Sequence, residues 1–263
     1  MKNVFRVGLS RDCRWVVRGS IPRALRGCDA VVFPELVDGG YAALARGGGR
    51  HTPGDALQRS FSRLTRTGVP VCIAGSILLK TRAGHTANTT LVFHRGRLIH
   101  RYEKIHLFRP TGDARYFSPG RRIGTFLLPG GPRRLRAGVI LCYDLRFPEL
   151  SRTMARQGMQ ILFVPARWPA ARDLAWRTLL RARAIENQIF VVGCNGPGVE
   201  GGHSYVFDPL GEELLSTKGQ RRQAFWSIGL PLRRLKESRQ LHDNLREAVV
   251  LRSATIPLVR RRR

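Results

Sequence analysis

Short apolar runs that alternate with amphipathic helical patterns constrain this chain more than any other feature. Residues 4–9 read as a first strand and residues 30–33 as a buried strand stopped by Pro34. Residues 18–26 read as a short helix, and the glycine-rich stretch 39–54 as a loop. Residues 55–66 carry Leu57, Phe61 and Leu64 at helical spacing, residues 69–79 and 89–93 read as strands, and Arg95-Gly96 turns the chain into a strand at 97–102. The second half repeats the alternation. A strand at 135–141 leads to a helix that opens on Pro148 and runs to about Arg156; a strand at 161–164 precedes the longest helical pattern, at 173–188. Strands at 189–194, 204–207 and 224–228 follow, with Asp208-Pro209-Leu210-Gly211 as a turn. Strands buried between helices argue for a layered α/β core. No internal repeat or linker divides the chain, and 263 residues suit one such domain. Residues 1–263 are therefore expected to form a single domain, with a basic tail from about residue 253.

Composition narrows the function classes. No apolar run approaches the roughly 18 residues that span a bilayer, and residues 1–15 show no apolar stretch followed by a cleavage site, so a cytoplasmic, non-membrane protein is expected. Five cysteines, odd in number and widely spaced, argue against a disulfide framework or a CxxC metal site and point to reduced thiols. The histidines have no ligand spacing, and no metal or organic cofactor is expected. The net charge of +28 invites a polyanion partner. The arginines, however, occur in strand, helix and loop segments alike, and Arg260 to Arg263 form the one dense run. Nucleic-acid binding is expected only as non-specific attraction.

Three residues in separate places carry candidate chemistry. Cys142 follows an apolar run and precedes Tyr-Asp-Leu-Arg-Phe-Pro, where a buried strand turns into a helix; a thiol there suits a nucleophile, and equally a small core residue. Glu35 ends another buried strand, a position that raises a carboxylate towards general-base duty or leaves it as a rim partner of an arginine. Lys104 is one of five lysines in a chain that otherwise uses arginine, which suggests a need for a compact ammonium.

FPEL around Glu35, YEKIHLF around Lys104 and LCYDLRFPEL around Cys142, in that order and about 70 and 38 residues apart, resemble the nitrilase superfamily of carbon–nitrogen hydrolases. The resemblance covers nearly the whole chain and includes Asn88-Thr89, Ser118-Pro119-Gly120, RARAIENQIFVVGCN at 181–195 and Gly202-His203-Ser204. CYDLRFPELSR with Trp168-Pro169 and WRTLLRARAIENQ is most similar to the omega-amidase branch. A deaminated-glutathione amidase and an N-carbamoyl amino acid amidohydrolase are the alternatives within the superfamily.

The resemblance implies a four-layer αββα sandwich that pairs into a homodimer. It implies a small carboxylate-bearing amide and water as reactants, with Glu35 as base, Cys142 as nucleophile, and Lys104 with the Tyr143 backbone N–H as oxyanion partners. Many family members carry a further glutamate between the lysine and cysteine segments; here Asp113 is the nearest acidic residue, with a shorter arm. Arg146, four residues past the nucleophile, is the first choice for a substrate carboxylate, with Arg109 a weaker one and Trp168 a pocket wall or core aromatic. A rival Cys-His hydrolase would use His106 or His203 as base.

Overall fold

The computed structural model describes residues 3–37, 54–80, 85–129, 135–197, 201–220 and 222–248. The stretch 39–53 and the tail from about residue 253 lie outside the described residues. The strands, in chain order, are β1 (Val4–Ser10), β2 (Ala30–Val32), β3 (Val71–Ile73), β4 (Ile77–Lys80), β5 (Thr86–His94), β6 (Arg97–Glu103), β7 (Thr125–Leu128), β8 (Leu135–Val139), β9 (Ile161–Ala166), β10 (Phe190–Asn195), β11 (Tyr205–Phe207), β12 (Glu213–Ser216) and β13 (Phe225–Pro231). The helices are α1 (Arg14–Arg18), α2 (Gly54–Thr67), α3 (Asp113–Tyr116), α4 (Pro148–Arg156), α5 (Asp173–Asn187), α6 (Arg233–Leu241) and α7 (Asn244–Glu247).

Two mixed sheets result. The first runs β13-β1-β2-β3-β5, with β1, β2 and β3 parallel; the second runs β12-β11-β10-β9-β8-β7, with β8, β9 and β10 parallel. Along β1, β2 and β3 the period-two alternation separates two cores. Phe5, Val7, Leu9, Ala30, Val32, Val71 and Ile73 share one core with the strands of the second sheet. Val31, Phe33 and Cys72 face the other way, against Leu57, Phe61 and Leu64 of α2 and Trp15 of α1. The second sheet is covered in the same manner. A Cβ on Gly193 would meet Leu180 and Trp176 of α5, whereas the next residue, Cys194, directs its sulfur to Ser10 and Val32 of the first sheet. Helix, sheet, sheet and helix therefore stack as the expected αββα sandwich.

Two expectations need correction. The helix expected at 18–26 lies earlier, at α1, because Gly19 adopts φ 73 and ends it; Pro22 then opens a separate 3-10 turn, Arg23–Leu25. The strand expected at 69–79 is broken into β3 and β4 at Gly75, φ 57. β3 pairs with residues 92–94 of β5 and β4 with residues 86–89, while β6 pairs along the opposite edge. The break therefore bends one sheet edge, and it does so beside Glu35.

Candidate active site

Each of the three candidate side chains leaves the carboxyl end of a strand: Glu35 after β2, Lys104 after β6 and Cys142 after β8. Ligand sites in α/β sheets form at such ends, where backbones leave the ladder and side chains converge. The Glu35 turn is built against the bend at Gly75. A Cβ on Gly75 would lie 1.9 Å from the Pro34 carbonyl oxygen, so only glycine lets the two segments approach. Ser76 then accepts the Leu36 N–H on its Oγ at 2.9 Å and the Val37 N–H on its carbonyl at 3.0 Å.

The side chains meet in a buried cluster. Lys104 Nζ donates to Glu35 Oε1 at 2.9 Å and to Asp113 Oδ2 at 2.8 Å. Asn88 Nδ2 also donates to Glu35 Oε1, at 2.9 Å, and the Arg167 backbone N–H reaches Glu35 Oε2 at 3.2 Å. Asp113 Oδ2 is fixed in turn by the Phe108 N–H at 3.0 Å. Glu35, Lys104 and Asp113 are essentially inaccessible to solvent, and Cys142 is buried with 8% of its residue surface exposed.

Cys142 opens the 3-10 turn Cys142–Arg146 at φ 44, in the left-handed region that a side-chain-bearing residue seldom adopts. Asp144 holds that turn. Its Oδ2 accepts the Leu141 N–H at 3.1 Å and the Tyr102 hydroxyl at 2.7 Å, and its Oδ1 accepts the His106 N–H at 2.8 Å. Burial pushes the Cys142 thiol well above the ordinary range, and the Glu35 charge adds to it; Lys104 and a hydrogen bond from the Arg167 backbone oppose the rise. The thiol is also hydrogen-bonded to Glu35. A thiol held protonated beside a carboxylate can react as a nucleophile once that carboxylate takes its proton.

The other expected residues divide. Tyr143 is second in the 3-10 turn, where helical geometry gives the backbone N–H no internal acceptor. Arg146 is exposed and stacks its guanidinium 4.8 Å from the centroid of Trp168. Trp168 is itself buried against Trp176, with ring centroids 5.3 Å apart, and Asn195 binds both its backbone polar groups. It is thus a core aromatic with one face turned to Arg146. Arg109 is exposed at the start of the 3-10 turn Arg109–Thr111. His106 places Nδ1 2.9 Å from Asp144 Oδ1 and stacks on Phe147, and His203 places Nδ1 3.0 Å from Asp173 Oδ1. The groups that act on the Cys142 thiol are Glu35, Lys104 and the Arg167 backbone.

The model of the family described as carbon-nitrogen hydrolase matches residues 15–224. The chain belongs to the carbon-nitrogen hydrolase family. This hydrolase is 30% identical over 235 residues to 2-oxoglutaramate amidase of Bacillus subtilis, covering 86% of this chain and 88% of that one. It is 32% identical over 228 residues to omega-amidase YafV of Escherichia coli K12, covering 82% of each. Among solved structures, a CN-hydrolase superfamily protein of Xanthomonas campestris superposes with a TM-score of 0.74 at 26% identity, over 95% of this chain and 99% of that one. The expected nitrilase-superfamily fold and omega-amidase branch are borne out, and the chain is a hydrolytic enzyme that uses an amide and water.

Sequence reasoning did not single out Arg167, whose guanidinium Nε donates to the Glu35 carbonyl at 2.9 Å and Nη2 to the Leu36 carbonyl at 3.0 Å. One arginine among many carries no signal. Asp144 was equally silent, although its position two residues past the thiol places it on the same turn.

Proposed function

We propose that this carbon–nitrogen hydrolase is an omega-amidase that releases ammonia from a small amide bearing a distal carboxylate, with 2-oxoglutaramate as the reference substrate. The observation that carries the reading is the buried contact of Cys142, Glu35 and Lys104 in a chain similar over most of its length to an omega-amidase and a 2-oxoglutaramate amidase.

The chemistry follows from the cluster. Glu35 takes the thiol proton as Cys142 attacks the amide carbonyl, and the carbonyl oxygen gains negative charge. The Lys104 ammonium and the Tyr143 backbone N–H stabilise that charge in a dry site, where fixed donors count most. Glu35 returns the proton to the departing nitrogen, ammonia leaves, and a thioester remains on Cys142. Glu35 then takes a proton from water as the water oxygen attacks the thioester. It passes that proton to the sulfur as the C–S bond breaks and the carboxylic acid departs, which regenerates the thiol and the Glu35 carboxylate. Asp113 keeps Lys104 in place. Arg146, supported by the Trp168 face, meets the distal carboxylate of the substrate as a bidentate partner; Arg109 is the weaker candidate for that contact.

All five cysteines are free thiols and no described helix is long and apolar enough to cross a membrane, which supports a cytoplasmic enzyme. Leu174, 82% exposed, and Ile185 leave apolar surface on α5, which supports pairing of two copies through that helix layer. Ammonia release from 2-oxoglutaramate and from amides that lack the carboxylate tests the reading. Turnover of the first and at least tenfold weaker kcat/KM for the second is expected. Equal turnover of both would remove the carboxylate from the account.

A further inference from the structure

The Glu35 turn has two supports, one from each sheet. From the first sheet, Ser76 binds the N–H groups of Leu36 and Val37. From the second, Arg167, the residue that follows β9, binds the carbonyls of Glu35 and Leu36 with two arms of one guanidinium. Leu36, between these supports, sits at φ 45, a conformation that a leucine does not hold unaided. The Arg167 stem lies against Gly196, where a Cβ would come within 3.2 Å of Arg167 Cγ, so the absence of a side chain there leaves room for its path to the turn. The same residue's backbone N–H reaches Glu35 Oε2 and the Cys142 sulfur. One residue thus fixes the main chain of the base and touches the two atoms between which the first proton moves.

We infer that Arg167 is a positioning residue for Glu35, clamping the base across the gap between the two sheets so that its carboxylate faces the Cys142 thiol. The inference rests on the reading of Glu35 as the base. A planar fork suits two successive carbonyls, whereas a lysine ammonium satisfies one geometry at a time. Displacement of a reacting group by about 1 Å can cost on the order of a hundredfold in rate. The loss therefore belongs in the chemical step rather than in substrate affinity.

The test follows carbamidomethylation of Cys142 by iodoacetamide, read by peptide mass spectrometry at neutral pH, in the wild type and in Arg167→Ala, Arg167→Lys and Glu35→Gln. Thermal melting is measured alongside. Arg167→Ala should slow modification about tenfold or more, towards the rate of Glu35→Gln, with Arg167→Lys between. Millimolar guanidinium should restore much of the rate to Arg167→Ala and none to Glu35→Gln. On an amide that the wild type hydrolyses, kcat should fall with KM within about threefold. A wild-type modification rate in Arg167→Ala overturns the proposal, as does a loss that tracks a collapsed melting temperature without rescue by guanidinium, or a rise in KM alone. If Glu35→Gln is itself modified at the wild-type rate, the base assignment fails, and the role of Arg167 falls with it.

Discussion

The Lys104 ammonium lies 2.8 Å from the Asp113 carboxylate, with both side chains shut off from solvent. Asp113 has the shorter acidic arm, yet it spans the distance because the chain folds back tightly after Phe108. The Asp113 N–H bonds the Phe108 carbonyl at 3.3 Å while the Phe108 N–H bonds Asp113 Oδ2 at 3.0 Å. A lysine gripped on two sides keeps its ammonium aimed, whereas one held by Glu35 alone follows that residue whenever it moves a proton.

Replacement of Asp113 by Asn keeps the shape and removes the charge. Loss of one partner of a buried charged hydrogen bond costs about 1–3 kcal/mol. Asp113→Asn should therefore melt several degrees lower and turn over about tenfold more slowly, as read by thermal denaturation and by kcat. Unchanged kcat would mean that Glu35 suffices to hold the lysine.

Gly75 is distant from the thiol in sequence and governs it through Pro34. Any Cβ at Gly75 must push the Pro34 carbonyl away from a separation of 1.9 Å, and φ 57 adds backbone strain. Gly75→Ala is expected to lower both melting temperature and kcat, the latter by more than tenfold, since Glu35 is the next residue. A stable variant with full activity would show that the bend at Gly75 does not position the base.

The reach of the sequence differs between these features for physical reasons. Glu35, Lys104 and Cys142 were legible because each sits in its own motif, Glu35 and Cys142 after buried apolar strands and Lys104 as a rare lysine in a chain of arginines. The layered fold was legible from the same alternation. Gly75 was hidden inside an apolar run that reads as one strand, since periodicity does not register a single left-handed residue. β7 and β12 were missed because they are four-residue edge strands, too short for a period to stand out from the flanking loops. Arg167 was invisible against 41 arginines, and its role exists only where β9 ends beside the Glu35 turn.

Stability should fall at both ends of the pH range. His100 stacks on Phe126, with centroids 4.7 Å apart; its Nε2 is buried with no hydrogen-bond partner among the described residues, and burial pushes its pKa down to about 4. The unfolded chain takes that proton near the ordinary value of about 6.5, so between there and about 4 it binds more protons than the folded enzyme, and stability drops as pH falls. At high pH the sign reverses. Burial pushes the Cys28 thiol up to about 11 and Cys194 up to about 12, so the unfolded chain loses those protons first and stability drops as pH rises past the ordinary thiol range. Melting temperature against pH should show both limbs, and His100→Leu should flatten the acid one. An unchanged acid limb would assign it elsewhere.

The most direct measurement is ammonia release from 2-oxoglutaramate by the wild type and by Cys142→Ala, with mass spectrometry of the quenched wild-type reaction. Steady release by the wild type is expected, with none above background by Cys142→Ala, and an acyl group bound through a thioester on the peptide that contains Cys142. Release that survives in Cys142→Ala, or a wild type inert towards every carboxylate-bearing amide offered, would contradict it.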